Sequence, residues 1–133
     1  MTLKYPPYAG QILLCEFHGF VKPEMQKTRP VIVLTPRPIS QKTRTAIIVP
    51  LSTTAPLTIE SYHVPIVLPG QLPSHWAQEC WAKCDMLYSV SFSRLGFMKM
   101  GKDKLGKRIY YQNIIDHSQL TQIRTATLVA IGK

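Results

Sequence analysis

Three observations predict a mainly β fold for this chain: a small SH3-like β-barrel of five to seven short strands, closed by one C-terminal α-helix. The apolar runs are short and are separated by Gly, Pro and Ser/Thr-rich turns. Helical spacing of apolar residues shows only near the end, from His117 to Ile131. The chain has 133 residues, 45% of them hydrophobic, and a mean hydropathy of −0.01, which supports one core and a single domain over 1–133.

In chain order, Gly10 opens a first strand at Gln11–Phe17. Pro30–Thr35 is the second strand. Its unbroken apolar run, Val31 to Leu34, reads as a segment buried on both faces. Pro30 pushes the preceding Arg29 toward extended geometry. The next stretch, PRPISQKTR, is expected to be a basic loop, because Pro36 and Pro38 interrupt any regular ladder. Thr45–Leu51 supplies the third strand. Tyr62–Leu68 alternates at Val64, Ile66 and Leu68, but Pro65 has no N–H to donate, so this is an edge strand. Pro69–Gly70 turns the chain. Glu79–Ser89 and Ser91–Met100 give further strand material, and Gly101–Lys107 is a polar, basic turn. Leu120, Ile123, Ala130 and Ile131 then mark the helix, with Asp116 as N-cap, Gln119 three residues on and Gly132 as the stop.

The charge is strongly positive, +9 at neutral pH, with a pI near 9.7. It is also uneven, because Thr45–Ala82 holds no Lys or Arg. One basic group comprises Lys22, Lys27, Arg29, Arg37, Lys42 and Arg44. The other comprises Lys83, Arg94, Lys99, Lys102, Lys104, Lys107 and Arg108. Clustering of this kind is the electrostatic footprint of a polyanion, most often nucleic acid. No apolar run approaches the roughly 20 residues that span a bilayer, and MTLKYPPYAG lacks a signal-peptide core, so a cytoplasmic protein with no membrane partner is expected. Three cysteines fit reduced thiols better than a disulfide framework. Cys80, Cys84 and His75 match no common zinc spacing and lack a fourth ligand, so neither metal nor cofactor is expected.

The chemistry gathers around Lys22–Thr35, KPEMQKTRPVIVLT, where a mixed-charge loop holding Glu24, Lys27 and Arg29 meets the buried run. An acid and a cation five residues apart at the rim of a rigid core suit the handling of a phosphate. Four blocks in order, GQILLCEF, PEMQKTRPVIVL, IIVPLSTT and CDMLYSVSFSRL, resemble the MazF/PemK (Kid-like) family of toxin endoribonucleases, from about Gly10 to Gly132. The resemblance implies an endoribonuclease that cuts single-stranded RNA without metal. It also implies a homodimer whose interface groove takes RNA or a segment of an acidic antitoxin, and that can join its antitoxin on operator DNA.

RNA carries its own nucleophile, the 2′-hydroxyl. Cleavage then needs a base, donors for the developing phosphorane charge, and an acid for the leaving oxygen. Glu24 fits the base. Arg29 fits the charge-stabilising role because its planar fork grips phosphate oxygens bidentately, and it matches the arginine that the family is thought to use. Ser52 and Thr53 match the family's hydroxyl-bearing segment, with the choice between them open, since Ser52 stands where relatives carry Thr. Asp85 lies in KCDM, which resembles the family's RCDQ block with Lys83 in place of Arg and Met86 in place of Gln. Lys lacks the fork, which puts that half of the site in doubt. His18, at the end of the first strand, is the other acid or base. Lys22, Lys27, Arg37 and Arg44 are the expected phosphate contacts. Trp76, expected to be exposed, is the expected stacking ring, with Phe20 and Tyr62 as further rings and Trp81 assigned to the core. Two other classes compete with the enzyme: a non-catalytic SH3-like module binding nucleic acid or a peptide, and a DNA-binding regulator.

Overall fold

The computed structural model describes residues 2–74 and 76–133; His75 lies outside them. Strand β1 is Ile12–Glu16 and β2 is Thr28–Val33, followed by helix α1 at Arg37–Thr43 and strand β3 at Thr45–Ser52. Strands β4 (His63–Val67), β5 (Glu79–Lys83) and β6 (Tyr88–Ser91) come next. After a 3₁₀ turn at Phe92–Arg94 come β7 (Leu95–Gly96), β8 (Met98–Lys102) and β9 (Arg108–Tyr111). Helix α2, His117–Ala130, ends the chain.

The first seven strands make one antiparallel sheet in the order β4-β5-β3-β2-β1-β7, with β6 added to β3. Among the described residues β8 and β9 pair only with each other. The outermost strands β4 and β7 do not meet, so the sheet is open and the expected barrel closure does not occur. Two features explain this. β3 divides its partners, giving Thr45–Ile48 to β6 and Leu51–Ser52 to β5, so the sheet folds over at β3. On the open edge of β4, the Gln119 amide of α2 accepts from the Val67 N–H (2.7 Å) and donates to its C=O (3.2 Å), where a closing strand would bond. β4 is thus the edge strand that Pro65 implied.

β2 is the strand on which both cores are built. Ile32 and Leu34 join Ile12, Val49, Leu51, Leu120 and Ile123 in one cluster. Val31 and Val33 join Leu13, Cys15, Ile48 and Phe92 in the other. Period-two alternation sends successive side chains to opposite faces, and Val31, Ile32 and Val33 are all fully buried. Each such side chain stabilises the fold by about 1.5–3 kcal/mol.

The expected basic loop at 36–44 is a helix. Pro36 is its N-cap and Pro38 lies in the first turn, where a missing N–H costs nothing because it would have no intrahelical partner. Arg44, in the left-handed region at φ 60°, ends it by donating its N–H to the Ser40 carbonyl. Two expected strands are broken. β5 stops at Lys83 in a turn, and Ser91 caps the 3₁₀ turn that separates β6 from β7. Asp116 caps α2 through the Gln119 N–H (2.7 Å), as its position predicts. At the far end Ile131 is 64% exposed, and Ala126 with Thr127 fills the core instead. No helix among the described residues is long and apolar enough to cross a membrane.

Candidate functional site

The loop between β1 and β2 is held by side chains distant in sequence. Arg94 donates to the carbonyls of Glu16 (2.9 Å) and His18 (2.8 Å), and its guanidinium lies 5.0 Å from the Phe20 ring centre. Phe17, Phe20 and Tyr88 pack as an aromatic triad with centroids 5.2–5.4 Å apart. The Tyr88 hydroxyl accepts from the Met25 N–H at 2.9 Å. Glu24 is tied into the loop as well, one carboxylate oxygen accepting from the Val21 N–H at 2.8 Å. Lys27, at φ 66°, turns the chain into β2.

That turn delivers Arg29 to the start of β2. The register that pairs Val31 with Pro50 runs on toward Arg29 and Ser52, at the end of β3. Here a depression of about 230 Å³ opens between Thr28–Pro30, Ser52–Thr54 and Trp76, with buried Leu51, Leu68 and Cys80 beneath. Among the described residues the Arg29 side chain makes one hydrogen bond, from Nε to the Gln26 carbonyl (3.2 Å), and no ion pair. The Ser52 hydroxyl is engaged with its own turn, accepting from the Thr54 N–H (3.1 Å) and donating to the Thr54 carbonyl (3.4 Å). The exposed Thr53 hydroxyl has no hydrogen-bond partner among the described residues. Burial pushes the Cys80 thiol up to about 11, so it stays protonated at neutral pH and is no nucleophile. Chemically, the depression offers a guanidinium fork and a free hydroxyl over an apolar base, a combination that can hold an anion.

Four of the residues singled out in the sequence, Arg29, Ser52, Thr53 and Trp76, therefore line one depression. Trp76 is half-buried against the core rather than exposed, while Trp81, assigned to the core, is itself half-exposed. Glu24, Lys22, Lys27 and His18 lie on the adjoining loop, outside the lining. Lys83 ends β5 opposite His63, and Asp85 is exposed in the turn that follows; neither reaches the depression. Arg37 opens α1 and Arg44 is its C-cap, past the other end of β2. Arg37 stacks on Tyr8, 4.4 Å from the ring centre, and donates to its hydroxyl, while Arg44 covers Phe92. Phe20 belongs to the aromatic triad, and Tyr62 packs on His63. Among the described residues no cluster of His, Cys, Asp or Glu could hold a metal ion.

Sequence reasoning missed three contributors. Thr28 and Thr54 line the depression, and nothing distinguishes them in sequence from ordinary turn hydroxyls. Arg94 falls within the basic footprint by position but acts as an internal clamp on the β1–β2 loop, which nothing local in the sequence signals.

An open antiparallel sheet backed by one helix, with a cationic and hydroxyl-bearing depression at the end of its central ladder, defines a small anion-receptive β domain. Residues 8–129 match the family of PemK-like, MazF-like toxins of type II toxin–antitoxin systems, and the chain belongs to that family. Solved structures share the fold at low identity. MazF from Deinococcus radiodurans is 17% identical, with a TM-score of 0.66 over 97% of this chain and 99% of that one. An endoribonuclease from a mycobacterial species, in complex with its cognate antitoxin, is 17% identical, with a TM-score of 0.63 over 95% of each chain. The Mycobacterium tuberculosis toxin MazF-mt6 is 20% identical, with a TM-score of 0.58 over 90% of this chain and 94% of that one. No curated protein matches the sequence significantly.

Proposed function

We propose that the chain is an endoribonuclease that cuts single-stranded RNA without a metal, as the toxin of a toxin–antitoxin pair. One observation carries the reading: Arg29, without an ion pair, shares a 230 Å³ depression with the Thr53 hydroxyl. Glu24 takes the proton from the 2′-hydroxyl, whose oxygen attacks the adjacent phosphorus. Arg29 and Thr53 stabilise the charge that builds on the phosphorane oxygens. The bond to the 5′-oxygen breaks, and that oxygen takes up a proton from solvent; His18, on the same loop as Glu24, is the alternative base. The products are a 2′,3′-cyclic phosphate and a 5′-hydroxyl. No metal is required because the nucleophile is part of the substrate. Glu24 sits outside the lining, and catalytic hydrogen bonds often tighten only when substrate is bound.

The family and the antitoxin-bound mycobacterial relative support a proteinaceous partner, and the charge of +9 favours an acidic one. Leu128, Val129 and Ile131, exposed at the end of α2, support self-association into a homodimer. The test is incubation with mixed RNAs in EDTA, with the cut ends mapped. Cleavage should persist, leave a 2′,3′-cyclic phosphate and a 5′-hydroxyl, and spare DNA. A requirement for magnesium, or equal cutting of DNA, would overturn the mechanism. Binding without cutting would favour the non-catalytic module.

A further inference from the structure

A larger cavity than the Arg29 depression lies elsewhere. It measures about 660 Å³, lies between the N-terminal segment, α1 and the β8–β9 hairpin, and shares no lining residue with the Arg29 depression. Four rings line it: Tyr5, Tyr8, Phe97 and Tyr110, of which Tyr5 is 73% exposed. Phe97 and Tyr110 stand 6.3 Å apart, and Arg37 lies flat over Tyr8. Lys4 and Lys99 add to the charge of Arg37, and none of the described lining residues is acidic.

The hairpin beside it extends this charge. It carries Lys99, Lys102, Lys104, Lys107 and Arg108 against the single acid Asp103. That carboxylate is occupied in its own turn, accepting from the N–H groups of Leu105 and Lys107 at 2.9 Å each. Lys102 and Arg108 are direct cross-strand partners. Like charges in that position destabilise a hairpin, a cost that a bound polyanion would remove. Two pairs along, past Gly101–Ile109 and a shift of register, Lys99 and Tyr110 are both in the cavity wall, so the charge of the hairpin runs up to the rings.

Exposed rings interleaved with cations, without carboxylates, are the lining that holds unpaired bases and their phosphates. We propose that this cavity and the hairpin beside it form a second site for single-stranded RNA, which grips the strand away from the scissile phosphate. The inference rests on RNA being the substrate and goes beyond it. Arg29 is the second residue of β2 while Arg37 lies past its end at Val33, so the strand alone spans about 13 Å between them at roughly 3.3 Å per residue. A short oligonucleotide should therefore engage only one site and a long one both.

The experiment measures anisotropy of fluorescent, non-cleavable 2′-O-methyl oligonucleotides of about 4 and about 16 nucleotides, near the limits of a single-strand site. Tyr8→Ser with Tyr110→Ser should weaken the long strand about tenfold or more, since each base loses a stacking face. Tyr8→Phe with Tyr110→Phe should keep the affinity. Lys102→Gln with Arg108→Gln should flatten the log–log salt dependence for the long strand by up to about 1.4, roughly 0.7 for each phosphate that is no longer neutralised. An unchanged long-strand affinity in the serine variant would overturn the inference. So would a change in sedimentation showing that these rings are covered by a second copy of the chain. A wild-type protein that binds the long strand but cuts no RNA would sink the proposed function alone. A protein that cuts RNA while the serine variant binds normally would sink only the second site.

Discussion

The two ends of the β2–β3 ladder carry the same kind of residue and use it differently. At one end Arg29 keeps most of its guanidinium free beside the Thr53 hydroxyl, in a small depression. At the other, Arg37 is stacked on Tyr8 and bonded to it, beside a cavity nearly three times larger and walled by aromatic rings. A free fork next to hydroxyls suits a charge that appears only during a reaction. A stacked fork among rings suits a ligand that stays as it is. The difference teaches that basic residues cannot be pooled into one footprint by sequence position. What surrounds each guanidinium decides its use.

The largest disturbance should come from the strand that joins the two ends. Ile32 is fully buried in β2, and Ile32→Ala should cost about 2–5 kcal/mol of stability in urea unfolding. It should impair both ends together. Loss of one alone would show that the strand does not hold them as a unit.

Glu24→Gln separates the ends sharply, because Glu24 is the proposed base and lies apart from the rings of the larger cavity. The glutamine carbonyl can still accept from the Val21 N–H, so the loop should hold its shape. Cleavage should fall about 100-fold, as loss of a general base typically does. His18→Asn should have the smaller effect. The reverse result would move the base to His18 and leave Glu24 as a loop anchor.

A smaller effect distinguishes the cores under the sheet. Burial pushes the Cys15 thiol up to about 12, and those of Cys80 and Cys84 to about 11, from 9.0. Between pH 9 and these values the unfolded chain releases the protons first. Stability should therefore be unaffected below pH 9 and fall above it, by about 1.4 kcal/mol per pH unit for each thiol. Cys80→Ala should make the decline shallower. A flat profile from pH 9 to 11 would show the thiols are not withdrawn from water.

Much of the fold was legible because local and long-range demands agree. Val31–Leu34 had to be buried on both faces, and is. Asp116 caps α2, and Pro65 lies on an edge strand. Two features were not legible. Pro36 and Pro38 mark a helix start as readily as a break, and only the hydrogen bonds to the Pro36 carbonyl decide between them. The open sheet depends on Gln119 reaching Val67 across 52 residues, which no local pattern records. Of the site, Arg29, Ser52 and Thr53 were legible as motif residues at strand ends. Their freedom was not, because whether Ser52 or Thr53 is spent on its own turn depends on side-chain rotamers. Arg37 and Arg44 stand apart from the depression because α1 and its C-cap carry them beyond the far end of β2, which no local pattern records.

The most direct measurement is the single-turnover cleavage rate at saturating RNA for Arg29→Ala and Arg29→Lys beside the wild type, with binding of a non-cleavable strand followed in parallel. Arg29→Ala should lower the rate by about 100-fold or more while the long strand remains bound. Arg29→Lys should recover little of it, because it restores charge without the fork. A rate in Arg29→Ala close to that of the wild type would contradict the assignment of the chemistry to this end of the ladder, and near-full recovery by Lys would show that charge alone is what the site requires.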